Sequence, residues 1–360
     1  MFQKTTLYKG NEILEIAFEE GKTYLLMIAQ NCDMNHIVIN HASDIYTIIS
    51  PAVIFGNRLY EDGILVCELK RETTIVHRGH QNETEEKDYM EKLAKSKSVL
   101  LLVHWLDPKI YQYVDDIFSL TSEDVSIMGA GCGRTTIEMH SVMTHNGVEL
   151  LDGFLVLFST QKLFIGAKHG ASFYNGYYIA RTEKSNKIVT INGESAAPFY
   201  AKIIQKYFNE QVTCENIFSI GLRYPIGLGT TSGENPIRVP VAMEEDSIIV
   251  SGPMDMENTI SLMCAEREVL FKASSTAALE AKKNICNLDD DQVCFIIEGA
   301  GRQLVLGELF PQELENIASN LLPSTQCYGL LSLGEIANSS DKYIEYSNEA
   351  CVVGVFDATK

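Results

Sequence analysis

Val293-Cys-Phe-Ile-Ile-Glu-Gly-Ala-Gly-Arg302 is the stretch on which the reading of this chain turns. Val293–Ile297 is a short apolar run leading into a glycine cluster, which predicts a buried strand, and Gly299-Ala-Gly-Arg302 places a charged side chain just past its end. Two further clusters repeat that arrangement. Ile217–Leu222 reads as a strand before Tyr224-Pro225, with Arg238 downstream, and Tyr328–Leu333 precedes Gly334-Glu335-Ile336, with Asn348 after it. Charged residues beside glycines at strand ends gather at one rim of a sheet, where backbone approaches a ligand closely. No nucleophile–base pair or metal-ligand spacing accompanies them, so the pattern favours binding over chemistry.

Working outward, apolar runs alternate with turn signals. Tyr24–Ala29 and Val99–His104 read as buried strands, and Ile45–Ile54 with Gly63–Leu69 as the arms of a hairpin turned at Tyr60-Glu-Asp-Gly63. Residues 1–23 read as a polar lead-in, and Asn82–Ser96 as a solvated helix or mobile segment. Ile110, Tyr113, Val114, Ile117 and Phe118 recur at helical spacing. Ala197–Phe208, Ala265–Ile285 and Gln312–Leu321 are further helix candidates, and Asn146-Gly147 and Asn192-Gly193 are turns. No periodic repeat of 20–50 residues is visible. The expected fold is α+β, with two domains of mixed or mostly antiparallel sheets covered by helices.

Bulk properties narrow the function. A length of 360 predicts about two domains, and 46% hydrophobic residues suffice for packed cores. The apolar run around Val99–Val103 is interrupted by His104 and Asp107, far short of a membrane span. No apolar segment follows Met1, which predicts no secretory signal and a cytoplasmic protein. A net charge of −19, from 48 acidic and 29 basic residues, disfavours nucleic acid and anionic membranes as partners. Nine cysteines, at 32, 67, 132, 214, 264, 286, 294, 327 and 351, include no Cys-x-x-Cys pair and read as reduced, buried thiols.

Several residues support competing readings. Gly129-Ala-Gly-Cys-Gly133 invites a phosphate loop, but it lacks the Lys-Ser/Thr of a Walker motif and a following helical pattern. Arg302 and Arg238 present planar donor forks suited to a ligand carboxylate, or they pair internally with Glu298, Glu308 or Glu335. Glu335 binds a ligand amine or orients Arg302. Cys132 or Ser141 would serve a hydrolase, although no neighbouring base is evident in sequence. Asp289-Asp-Asp291 lacks the spacing of a calcium loop.

Taken together, the motifs resemble the FIST family, a bacterial sensory module with N- and C-terminal halves. Tyr224-Pro225, Arg238, Gly301-Arg302, Gly334-Glu335-Ile336 and Asn348 follow the order of the C-terminal half. Gly129–Gly133, Asn146-Gly147, Gly153–Phe158, His169-Gly170, Ile179–Thr182, Asn192–Glu194 and Ala197 are similar to the N-terminal half. Two positions depart: the glycine-rich turn near Pro51–Asn57 is degenerate, and Gly299 stands where relatives often carry Cys. The resemblance covers about Tyr24 to Phe356 and divides the chain into a lead-in (1–23), an N-terminal domain (24–215) and a C-terminal domain (216–360). It implies a cytosolic signal-transduction protein that binds a small, amino-acid-like ligand and acts through a separate histidine kinase or diguanylate cyclase. Arg302, Glu335, Arg238, Gly301, Gly334, Gly131, Cys132 and Asn348 are the expected ligand-binding residues. No cofactor is expected; the family also suggests a haem-based nitric-oxide sensor, for which His140, His145 and His169 are the candidate ligands.

Overall fold

The computed structural model describes residues 1–32, 43–79, 83–136, 141–230, 234–283, 285, 292–338 and 344–356. Its helices are Glu83–Lys95 (α1), Ile110–Leu120 (α2), Ala196–Phe208 (α3), Ile217–Arg223 (α4), Arg267–Lys282 (α5), Ala300–Leu306 (α6) and Phe310–Ser319 (α7). The fold is α+β with mixed, mostly antiparallel sheets.

Three six-stranded sheets share one topology. Each is built on a parallel pair: Thr23–Ala29 with Asp44–Ser50, Ser98–His104 with Ser126–Cys132, and Val293–Gly299 with Gln326–Ser332. In each, a third strand returns antiparallel beside the first of the pair: Gly63–Leu69, Phe154–Ser159 and Cys351–Phe356. A hairpin arm then pairs beside the second strand, and it always comes from another unit. Val53–Phe55 joins Gln326–Ser332, Met143–His145 joins Asp44–Ser50, and Glu335–Asn338 joins Ser126–Cys132. The three units therefore exchange hairpins in a cycle. Their strands are nearly continuous in apolar residues because both faces are covered.

The inner faces meet in one core, to which the three sheets contribute Met27 and Leu65, Leu100 and Leu155, and Phe295 and Val352. The outer faces carry separate clusters: Ile13 and Phe18 cover the first sheet, α1 and α2 the second, and α5 with α7 the third. A fourth sheet, with Ser172–Lys184 between Glu257–Cys264 and Lys187–Ile191, forms its own core with α3 and α4.

Several expectations are corrected. Ile45–Ile54 and Gly63–Leu69 do not pair; both flank Thr23–Ala29, and the hairpin is Val53–Phe55 with Arg58–Tyr60. Ile217–Leu222 lies in α4 rather than a strand, and Gly299-Ala300 opens α6 directly. Residues Phe2–Lys9 form an edge strand against Gly63–Leu69. Residue 215 lies between α3 and α4, and two of the three similar sheets take strands from both sides of it. Asn146 and Asn192 take left-handed φ of 49° and 52°, followed by Gly147 at 78° and Gly193 at 81°, as two-residue hairpin turns require.

Candidate functional site

The three glycine clusters singled out in the sequence converge. Gly131 N–H donates to the Gly334 carbonyl at 2.6 Å, and Glu335 accepts from Ala350 N–H at 2.9 Å. A side chain at Gly334 would overlap the Tyr346 phenol, and one at Gly301 would meet Glu349 Cγ at 2.8 Å. The meeting point is the interior, however, not an open cleft: Arg302, Glu298 and Glu313 are 0% exposed, Glu335 1% and Glu349 3%.

Arg302 spends its whole donor fork inside the protein. Nε binds Glu298 Oε1 at 2.5 Å, one terminal nitrogen binds the carbonyls of His169 (2.6 Å) and Glu349 (3.3 Å), and the other binds Leu270 O (2.9 Å) and Glu313 Oε1. Five N–H groups thus have five acceptors, and a ligand carboxylate finds no donor there. Burial pushes the carboxyls of Glu298 and Glu349 well above their ordinary range and that of Glu335 up to about 8. Glu335 Oε1 and both Glu349 oxygens have no hydrogen-bond partner.

Arg238 is likewise fully buried. It donates to Pro253 O (2.8 Å), Ile237 O (2.8 Å), Tyr346 O (3.1 Å) and the Tyr111 hydroxyl, between the Tyr111 and Tyr346 rings. Asn348 is 6% exposed, and its amide is best oriented with the nitrogen towards Ile237 O and Ser251 O. Cys132 is wholly buried, and burial pushes its thiol far above the ordinary range, away from a thiolate nucleophile. Ser141 donates to Met143 O at 3.0 Å, and nearby His104 accepts Leu106 N–H on Nδ1.

An accessible site lies where Arg302 points. One of its acceptors belongs to His169, which lines a cleft of about 380 Å³, and another, Leu270 O, is on the buried side of α5, the helix whose neighbouring residues line the same cleft. One wall is the turn Lys168-His169-Gly170-Ala171 after the strand Leu163–Lys168. The other is the face of α5 carrying Val269, Lys272, Ala273 and Thr276, with Glu234 and Asn235 at the rim. Gly170 sits at φ 77°, and a Cβ there would lie 2.8 Å from that of Ala273, so the turn reaches α5 only with glycine.

At the base lies His169, 6% exposed. Its Nδ1 accepts Ala171 N–H at 2.9 Å, which leaves the proton on Nε2, and burial pushes the ring down to about 4, so it is neutral at pH 7. Nε2 is 3.3 Å from Glu234 Oε2 but lacks the alignment of a hydrogen bond. Lys168 ion-pairs with Glu234 (3.3 Å) and Glu280 (3.5 Å), and Lys272 is exposed on α5. The cleft therefore offers ammonium groups, a carboxylate and one buried N–H donor without an acceptor among the described residues. Sequence reading found His169 as part of a His-Gly motif and as a haem candidate, and missed Lys168, Glu234 and Lys272, which no local motif links.

Neither His145 nor His169 presents a free Nε2 to a haem iron. His169 has its Nε2 lone pair occupied by a proton in a charged cleft, while His145 stacks on Tyr46 at 4.1 Å and binds Asp44 through Nε2 at 2.5 Å. His140 lies outside the described residues, as do Asp289–Asp291. Among the described residues no group of three or more His, Cys, Asp or Glu could hold a metal ion, and no helix is long and apolar enough to cross a membrane.

A search of curated proteins returns no match. Residues 196–338 match the model of the FIST C domain, a segment that includes α5, Arg302, Glu234 and Glu335. The match identifies this segment as similar to the FIST C domain, a domain of sensory signal transduction.

Proposed function

We propose that the protein is a cytoplasmic sensor that binds a small zwitterion, such as an amino acid, in the cleft between the His169 turn and α5. One observation carries this reading: the buried His169 Nε2–H has no hydrogen-bond acceptor among the described residues and stands among charges of both signs. A buried donor without an acceptor is costly, and a ligand carboxylate satisfies it. Lys168 and Lys272 supply positive charge beside that carboxylate, and Glu234 receives the ligand ammonium. The volume suits a small metabolite. Arg302 and Glu335 then belong to the frame, and Arg302 acts through the two walls that it joins. Output passes to a separate protein, for which a histidine kinase or a diguanylate cyclase is our candidate.

A thermal-shift panel of the proteinogenic L-amino acids tests the reading. At least one should raise the melting temperature of the wild type, and Glu234→Gln and Lys272→Ala should each weaken the shift without lowering the ligand-free melting point. No stabilisation by any member, or an equal shift in both variants, would contradict the assignment.

A further inference from the structure

Cys294 and Cys327 are register partners on adjacent parallel strands, Val293–Gly299 and Gln326–Ser332. Both side chains enter the core between the sheet and α5–α7, with Ile296 and Leu331, so they lie side by side on one face. Adjacent strands lie about 4.8 Å apart, within the ~4.4–6.8 Å Cα separation that a disulfide spans. The Cys327 thiol donates to Thr325 O at 3.9 Å. We propose that Cys294 and Cys327 form a hydroperoxide-sensitive thiol pair that closes reversibly to a disulfide.

The two sulfurs have different tasks. Cys327 is the second residue of its strand and is 6% exposed, whereas Cys294 is 0% exposed. The neighbouring Cys294 thiol holds Cys327 below its ordinary range, while burial pushes Cys294 well above it. Cys327 thiolate attacks one oxygen of hydrogen peroxide; the O–O bond breaks, and the departing hydroxide takes a proton to become water. Cys294 sulfur then attacks the resulting sulfenic acid. Its proton leaves with the displaced hydroxide as a second water, so two thiols and one peroxide give one disulfide and two waters. The bond joins the starting ends of the two strands that the crossover carrying α6 and α7 connects, and encloses Arg302 and Glu313 between them.

The test is peptide mapping of the full chain after stoichiometric hydrogen peroxide, without reductant. The expected product is a cross-link between the peptides of Cys294 and Cys327, with loss of two titratable thiols and full recovery in dithiothreitol. Cys294→Ser should instead accumulate a sulfenic acid at Cys327, trapped by dimedone, and Cys327→Ser should leave Cys294 reduced. Oxidation confined to exposed Cys214, or a bridge from Cys294 to the neighbouring Cys351, would overturn the proposal. Because the wild-type map carries the result, a poorly folded variant does not blunt it.

Discussion

Arg302 donates to the backbone carbonyl of His169 at 2.6 Å across 133 positions of sequence, and the same guanidinium holds Leu270 O on α5, the helix that lines the cleft with other residues. Recognition and rigidity are thereby divided between residues. The arginine that stands out in sequence shapes the site from behind, and the imidazole it positions faces the cleft.

Removing Arg302 leaves Glu298 and Glu313 as uncompensated buried acids and frees both walls. Arg302→Ala should therefore destabilise the ligand-free protein by about 3–5 kcal/mol in urea denaturation. Arg302→Lys should recover little of this, because one ammonium cannot serve five acceptors spread around a plane. Full stability of Arg302→Ala would show that the network is dispensable.

Two buried groups give stability opposite pH dependences. Glu335 is raised from 4.5 to about 8, so the folded state keeps a proton that the unfolded chain loses, and stability falls as pH rises through that window. His169 is lowered from 6.5 to about 4, so stability falls as pH drops from 6.5 towards 4. The effects oppose each other where the windows overlap, and the Glu335 effect stands clear of that of His169 above pH 6.5. Between pH 6.5 and 8 the unfolding free energy should decline by up to about 1.4 kcal/mol per unit from this group. Glu335→Gln should flatten that decline, as read from urea midpoints at both pH values; an unchanged slope would count against a protonated Glu335.

Gly334 abuts the Tyr346 phenol. Gly334→Ala should cost about 1–3 kcal/mol through overpacking, and the double variant Gly334→Ala/Tyr346→Phe should recover part of it. Equal denaturation midpoints for wild type and Gly334→Ala would contradict the packing.

Thiol reactivity should follow burial. Iodoacetamide applied to the native protein should modify exposed Cys214 and spare Cys132, which is wholly buried with its thiol far above the ordinary range. Rapid modification of Cys132 in folded protein would reopen a nucleophilic role for it.

Much of the fold was legible where one physical signal dominated. Continuous apolar runs such as Val293–Ile297 marked strands buried on both faces, and Asn-Gly pairs marked tight turns because asparagine and glycine tolerate positive φ. Ile217–Leu222 misled because it is apolar enough for a strand and too short to show a helical period. The cyclic exchange of hairpins was hidden, since pairing between Val53 and Leu330 is a long-range choice that neither segment announces. The candidate site was half legible. Arg302, Glu335 and the glycines are brought together as their motifs implied, but burial turned them into framework, and burial is not written in a motif. Lys168, Glu234 and Lys272 are assembled only by tertiary packing.

The most direct test is the imidazole of His169, observed by NMR in protein labelled with 15N-histidine and assigned with His169→Gln. Titration with the amino acid that most raises the melting temperature should shift the His169 Nε2–H resonance and slow its exchange with water, as a carboxylate becomes its acceptor. An unchanged His169 resonance in ligand-saturated protein would place recognition elsewhere and contradict the account.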